Sequence, residues 1–201
     1  MVWDFFCYGC QKPSLKTLCE GCVKKLPFSN HLILPRVDYI DRSSSLFVFE
    51  RDVVSWVHQL KFQGRLSIAH FFSNYMVSEL TLVESVDAVV AVPQHDSKTK
   101  ERGFNPVFLI AKSIANQLRK PLMSQLIIKA KPTREQRGLT LKERTLNVKN
   151  TYRLNQKQQE VRHILLIDDV LTSGSTVKEV ARILKEEALI TKVTLWVVAK
   201  T

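Results

Sequence analysis

The stretch His163–Thr176, HILLIDDVLTSGST, decides the reading of this chain. Ile164 to Ile167 is a short unbroken apolar run, which predicts a strand buried on both faces of a parallel sheet. Two carboxylates, Asp168 and Asp169, follow at its carboxyl end, and then a turn of small residues: Thr172, Ser173, Gly174, Ser175 and Thr176. A helix is expected at once, with Val177, Val180, Ala181, Leu184 and Ala188 on one face and capping-box spacing between Thr176 and Glu179. A helix N-terminus offers unpaired N–H groups and a partial positive charge, which suit a phosphate. Gly174 lets the backbone approach that phosphate and the hydroxyls add donors. Two aspartates about one sugar's width away accept from ribose hydroxyls or hold Mg2+ through its waters. One phosphate and one diol together describe a ribose 5-phosphate. A Walker-type reading of the acid pair lacks its partner, because no G-x-x-x-x-G-K-[ST] lies upstream.

This order of strand, acid pair and phosphate turn resembles the motif by which type I phosphoribosyltransferases bind 5-phosphoribosyl 1-pyrophosphate (PRPP). The resemblance implies that Asp168 and Asp169 are catalytic, holding the ribose, and that Thr172 to Thr176 grip the 5-phosphate.

Upstream, Val86 to Val92 is another nearly continuous apolar run, ended by Pro93. A polar loop, QHDSKTKERGFNP, closes on Asn105-Pro106, an N-cap followed by a first helical position. Val107, Ile110, Ala111, Ile114 and Leu118 give the helix face. The loop carries Lys98, Lys100 and Arg102, with Gly103 for close backbone approach. In the resembled family the pyrophosphate loop lies here, and cations there stabilise a leaving group that gains charge as its bond breaks.

The amino-terminal part is organised by cysteine. Cys7, Cys10, Cys19 and Cys22 form C-x2-C-x8-C-x2-C, a pattern that brings four thiolates round one ion and predicts a structural zinc knuckle. Four sulfur ligands leave no open position for catalysis. Two disulfides are the rival; the start, MVWDFFCYGC, has no basic-then-apolar leader pattern, which favours a cytoplasmic location and reduced thiols. Between knuckle and motif, Phe47 and Phe49 alternate like a short strand, and Val53, Val57 and Leu60, then Ile68, Phe71, Phe72, Tyr75 and Met76, recur at helical spacing. Gly64 should end the first of these helices. Lys61 and Arg65 read either as phosphate-facing or as solvated surface.

Across the 201 residues the composition is ordinary for a folded protein, 45% hydrophobic and 24% charged, with no membrane-spanning stretch. The formal net charge of +11 points to a polyanionic partner. Nine Lys or Arg against three Glu fall between Lys131 and Arg162. A long basic connection there reads as a loop closing over PRPP, as a track for single-stranded DNA, or as a solvated loop. For the DNA reading the contacts are Arg134, Arg137, Lys142, Arg144 and Lys149. Gln125 to Lys129 and Val193 to Val198 are the remaining expected strands, so strands and helices alternate from residue 86 onward.

Several independent strings narrow the resemblance: Arg102-Gly103-Phe104-Asn105-Pro106, Leu60-Lys61-Phe62-x-Gly64, Gln136-x-x-Leu139 followed by Arg144-x-x-Asn147, and the four cysteines. Together they are similar to the ComF family of competence proteins. The resemblance implies an α/β, parallel-sheet type I phosphoribosyltransferase-like fold, with a zinc knuckle over 1–45, the main domain over 46–201 and a hood at about 130–162. It implies a cytoplasmic role in DNA uptake during natural transformation, structural zinc, Mg2+ and PRPP as ligands, and single-stranded DNA and DNA-translocation or competence proteins as partners. Three functions stay open: phosphoribosyl transfer to an unidentified acceptor, a non-catalytic single-stranded-DNA adaptor with a PRPP-sensing pocket, and nucleotide salvage.

Overall fold

The computed structural model describes residues 6–29, 36–79, 85–131, 151–156 and 160–201. Its centre is a four-stranded, all-parallel sheet ordered β1-β6-β5-β2, from β1 (Arg42–Val48), β2 (Ala88–Ala91), β5 (His163–Leu171) and β6 (Lys192–Lys200). The apolar runs of β5 and β6 are continuous because both faces are covered. Leu165, Ile167, Trp196 and Val198 face one core, with α2 (Arg51–Gln63), α3 (Ser67–Glu79) and α5 (Pro106–Leu118). Ile164, Leu166, Leu195 and Val197 face the other, with α6 (Ser175–Glu186). Successive residues pointing to opposite faces is the period-two geometry of a strand.

Helix α2 buries Val53, Trp56, Val57 and Leu60, a stripe at spacings of three and four. Gly64, left-handed at φ 64°, ends it as expected. The side chain of Asn105 accepts from the N–H groups of Val107 and Phe108 at 3.0 and 3.2 Å, so the expected start of α5 holds, with Pro106 first in the helix.

The structure corrects three expectations. The loop after β2 is mostly a two-turn helix, α4 (Asp96–Arg102), which buries no residue and so leaves no apolar period in the sequence. Residues 127–129 form β3 (Ile127–Lys129), which pairs antiparallel with β4 (Tyr152–Leu154) in a separate two-stranded sheet instead of joining the parallel one. The Thr176–Glu179 capping box is absent: α6 starts two residues earlier, its N-cap is Gly174, and Glu179 pairs with Arg182 at 3.1 Å.

The cysteine segment, with the short α1 (Glu20–Val23), lies against the α2–α3 side. Cys7, Tyr8, Leu18 and Leu26 belong to the same core as Trp56 and Phe71. The Tyr8 hydroxyl meets Ser67 Oγ at 2.7 Å, and the Arg65 guanidinium lies 4.8 Å over the Tyr8 ring. Arg65 therefore braces the knuckle instead of facing a phosphate. No helix among the described residues is long and apolar enough to cross a membrane.

Candidate functional site

Strand β5 delivers Asp168 and Asp169 to the carboxyl edge of the sheet, beside the turn that opens α6. Open α/β sheets bind ligands at this edge. Asp168 Oδ1 accepts from the Asp169 N–H at 2.9 Å, and Asp169 Oδ1 from the Val170 N–H at 2.7 Å. Burial first, and then the charge of Asp169, push the Asp168 carboxyl up to about 7, against the pull of the Asp169 N–H, Lys61 and Lys129.

The turn after Leu171 frames a small pocket of about 30 Å³ lined by Asp168, Val170 and every residue from Leu171 to Val177. Thr172, Ser173, Gly174, Ser175 and Thr176 are thus brought together on one concave surface. Gly174 has φ 74°, a conformation that costs an L side chain roughly 1–2 kcal/mol. Ser173 Oγ and Ser175 Oγ are 3.0 Å apart. Gly174 has no side chain to cap α6, and the N–H of Ser175, the first helical residue, donates to Ser173 Oγ at 3.4 Å beside this pocket.

A larger cleft of about 520 Å³ opens from the same place. Asp168, Asp169, Thr172 and Thr176 line one wall, and Lys98 and Arg102 of α4 line another. Gly103 caps α4 in the left-handed region (φ 78°), outside the cleft lining, and Lys100 is exposed.

Sequence reasoning left Lys61 open between a phosphate-facing and a solvated position and gave Lys129 and Tyr152 no part in the sugar-phosphate site. Lys61, from the last turn of α2, holds Asp169 Oδ2 at 2.7 Å, with both side chains mostly buried. Lys129 enters from β3, its Nζ 5.4 Å from the centre of the Tyr152 ring. Burial, then the charge of Lys98, bring the Lys129 ammonium down to about 8, while Asp168 opposes the shift. Tyr152 lines the same cleft, its phenol shifted upward by burial and by Asp168. The string Leu60-Lys61-Phe62-x-Gly64 marked Lys61 without saying what it touches. Gln94, next after Pro93, lines the cleft with a buried Oε1 that has no hydrogen-bond partner among the described residues. An orphaned polar atom, four cationic side chains and an acid pair around one cleft fit a polyanionic sugar phosphate and its Mg2+.

At the knuckle, the four cysteine sulfurs lie within 4.8 Å of one another, a set able to hold a metal ion. Burial of Cys7 opposes its ionisation, yet the N–H groups of Cys10, Cys19 and Gly9 outweigh it and lower the thiol to about 6. Gly9 is required by space: a Cβ there would stand 2.8 Å from Cys22 Sγ. Arg134, Arg137, Lys142, Arg144 and Lys149 lie outside the described residues.

Fold and site define a protein of the phosphoribosyltransferase class. Residues 107–200 match the family described as phosphoribosyl transferase domain. The chain is 32% identical to the DNA utilization protein YhgH of Salmonella typhimurium, over 94% of this chain and 79% of that one. It is 26% identical to competence protein F of Haemophilus influenzae, over 84% of this chain and 72% of that one. Among solved structures, orotate phosphoribosyltransferase from Aeropyrum pernix aligns over 69% of this chain and 63% of that one, at 17% identity and a TM-score of 0.41. The chain belongs to the ComF family, whose relatives bear the DNA-utilization and competence names.

Proposed function

We propose that the protein serves DNA utilization or competence by binding PRPP with Mg2+ in the cleft at the carboxyl edge of its sheet. The observation that carries the reading is the junction of the acid pair with the concave turn Thr172–Thr176, facing Lys98, Arg102 and Lys129 across one cleft. The turn hydroxyls and the first amides of α6 bind the 5-phosphate. Asp168 and Asp169 orient the ribose hydroxyls. Lys98, Arg102 and Lys129 share the neutralisation of the leaving pyrophosphate with Mg2+, which supplies positive charge when bound on the phosphates. In transfer, the bond from C1 to the pyrophosphate oxygen breaks and the electron pair goes to pyrophosphate, while an acceptor nucleophile bonds to C1 and its proton passes to the released pyrophosphate. Asp168 and Asp169 stabilise the positive charge that builds on the sugar ring between those events. The knuckle cysteines hold a structural zinc ion that stiffens the α2–α3 side.

The relatives' names support the DNA-related role, and the +11 charge supports contact with nucleic acid through the basic stretch 131–162. A non-catalytic adaptor that senses PRPP uses the same two surfaces without turnover. Competition tests the sugar-phosphate assignment. With labelled PRPP in equilibrium dialysis, ribose 5-phosphate and pyrophosphate should each compete, whereas ribose should not. Bound PRPP that ribose 5-phosphate fails to displace would remove the phosphate turn from the account.

A further inference from the structure

The cleft contains a cation of its own on the residue where a divalent ion is expected. Lys61 Nζ lies 2.7 Å from Asp169 Oδ2, and the side chains are only 25% and 14% exposed. The other oxygen of Asp169 accepts the Val170 N–H. Both Asp169 oxygens are therefore engaged. Asp168 has one oxygen on the Asp169 N–H and its second, Oδ2, without a hydrogen bond among the described residues. The two acids are adjacent in sequence and equal in chemistry, yet they differ in what they have left to offer.

The charges around them sharpen the contrast. Lys61, Lys98, Arg102 and Lys129 line the cleft with the two aspartates, an excess of positive charge among the described lining residues. A free divalent cation entering such a cleft meets repulsion, and to reach Asp169 it must replace an ammonium already in contact. An isolated pair of carboxylates would attract it. The position of Lys61 is firmly set: Leu60 beside it is buried, and Gly64 ends α2 within one turn.

We propose that Lys61 is a tethered cation that occupies Asp169 and denies the acid pair to a free divalent ion, so that the ion enters only on the phosphates of its ligand. This rests on the PRPP reading of the cleft and adds an order to it: the acid pair reads hydroxyls, mainly through Asp168, and the metal arrives already chelated. Lys61 is a positioning residue in this account, since it acts on the ligand through Asp169.

The test uses zinc-loaded full-length protein and Mn2+ alone, with free Mn2+ followed by electron paramagnetic resonance. Wild type and Lys61→Arg should leave Mn2+ free at concentrations where Lys61→Met and Lys61→Gln bind one equivalent, at least about tenfold more tightly. Adding Asp169→Asn to Lys61→Met should abolish the gain. A wild type that binds Mn2+ as tightly as Lys61→Met, with loss of binding in Asp169→Asn, would overturn the proposal, as would a folded Lys61→Met that gains nothing. Should both neutral variants misfold, the wild-type and Asp169→Asn arms decide by themselves: Asp169-dependent binding of Mn2+ to wild type refutes the proposal, and its absence supports it. No PRPP is present, so the outcome is separate from whether the cleft takes PRPP.

Discussion

The Tyr8 hydroxyl, one residue beyond the first cysteine of the knuckle, lies 2.7 Å from Ser67 Oγ at the start of α3. With Cys7 and Tyr8 in the same core as Trp56 of α2, the cysteine cluster is continuous with the helix that carries Lys61 to the acid pair. A metal bound by the cysteines therefore anchors one wall of the cleft, not a separate appendage. Removing it should destabilise the whole chain. Structural zinc contributes about 10–16 kcal/mol to small zinc folds, and the loss here should be a few kcal/mol at least, because the knuckle also packs on the main core. Chelation, or Cys7→Ser, should lower the thermal midpoint measured by circular dichroism in one transition. An unchanged midpoint after the metal is shown to be gone would mean that the knuckle is dispensable for stability.

Asp168 predicts a pH dependence. Its folded carboxyl titrates near 7, above the ordinary value of 3.8, because burial and Asp169 disfavour the charge. The folded state then holds a proton that the unfolded state has released. Stability from this group is fully present below about pH 4 and is lost as pH rises through about 7. Asp168→Asn cannot ionise, so its urea midpoint should exceed that of wild type at pH 8, with the gap closing towards pH 4. Equal midpoints at both pH values would place the Asp168 carboxyl back in its ordinary range.

Gly174→Ala should cost about 1 kcal/mol of stability. The cause is the left-handed backbone at φ 74°, not crowding, since a Cβ would meet Val37 Cγ2 at an ordinary 3.5 Å. Relief of that strain would tilt the turn, so PRPP affinity should fall by more than stability does. Denaturant unfolding and PRPP titration of the same variant compare the two. A variant with full stability and full affinity would show that the turn tolerates a right-handed residue.

Single-stranded DNA binding should weaken with salt, with a slope of about −0.7 in log affinity per phosphate contact. Replacing Arg134, Arg137, Lys142, Arg144 and Lys149 with Gln should flatten that slope while zinc content stays unchanged. Fluorescence anisotropy across a salt series reads both. A slope unaltered by the five substitutions would move the DNA contact elsewhere.

Much of the site was legible because it is local. Asp168, Asp169 and the turn to Thr176 are contiguous, and an apolar run followed by acids and small residues is readable in a single line. The cysteine spacing is readable for the same reason. Lys61 was not, because its meaning depends on Asp169, more than a hundred residues on, and only the packing of α2 over the sheet joins them. Lys129 and Tyr152 escaped for a related reason: the β3–β4 pairing that puts them opposite each other bridges a long polar connection. Helix α4 was hidden by its own chemistry, since Asp96–Arg102 buries nothing and shows no period.

The most direct measurement is calorimetric titration of PRPP with Mg2+ into the zinc-loaded protein, beside the Asp168→Asn/Asp169→Asn double variant. The account predicts one site per chain in the wild type and no measurable heat of binding in the folded variant. Absence of binding in the wild type, or equal binding in both, would contradict the assignment of this cleft to PRPP.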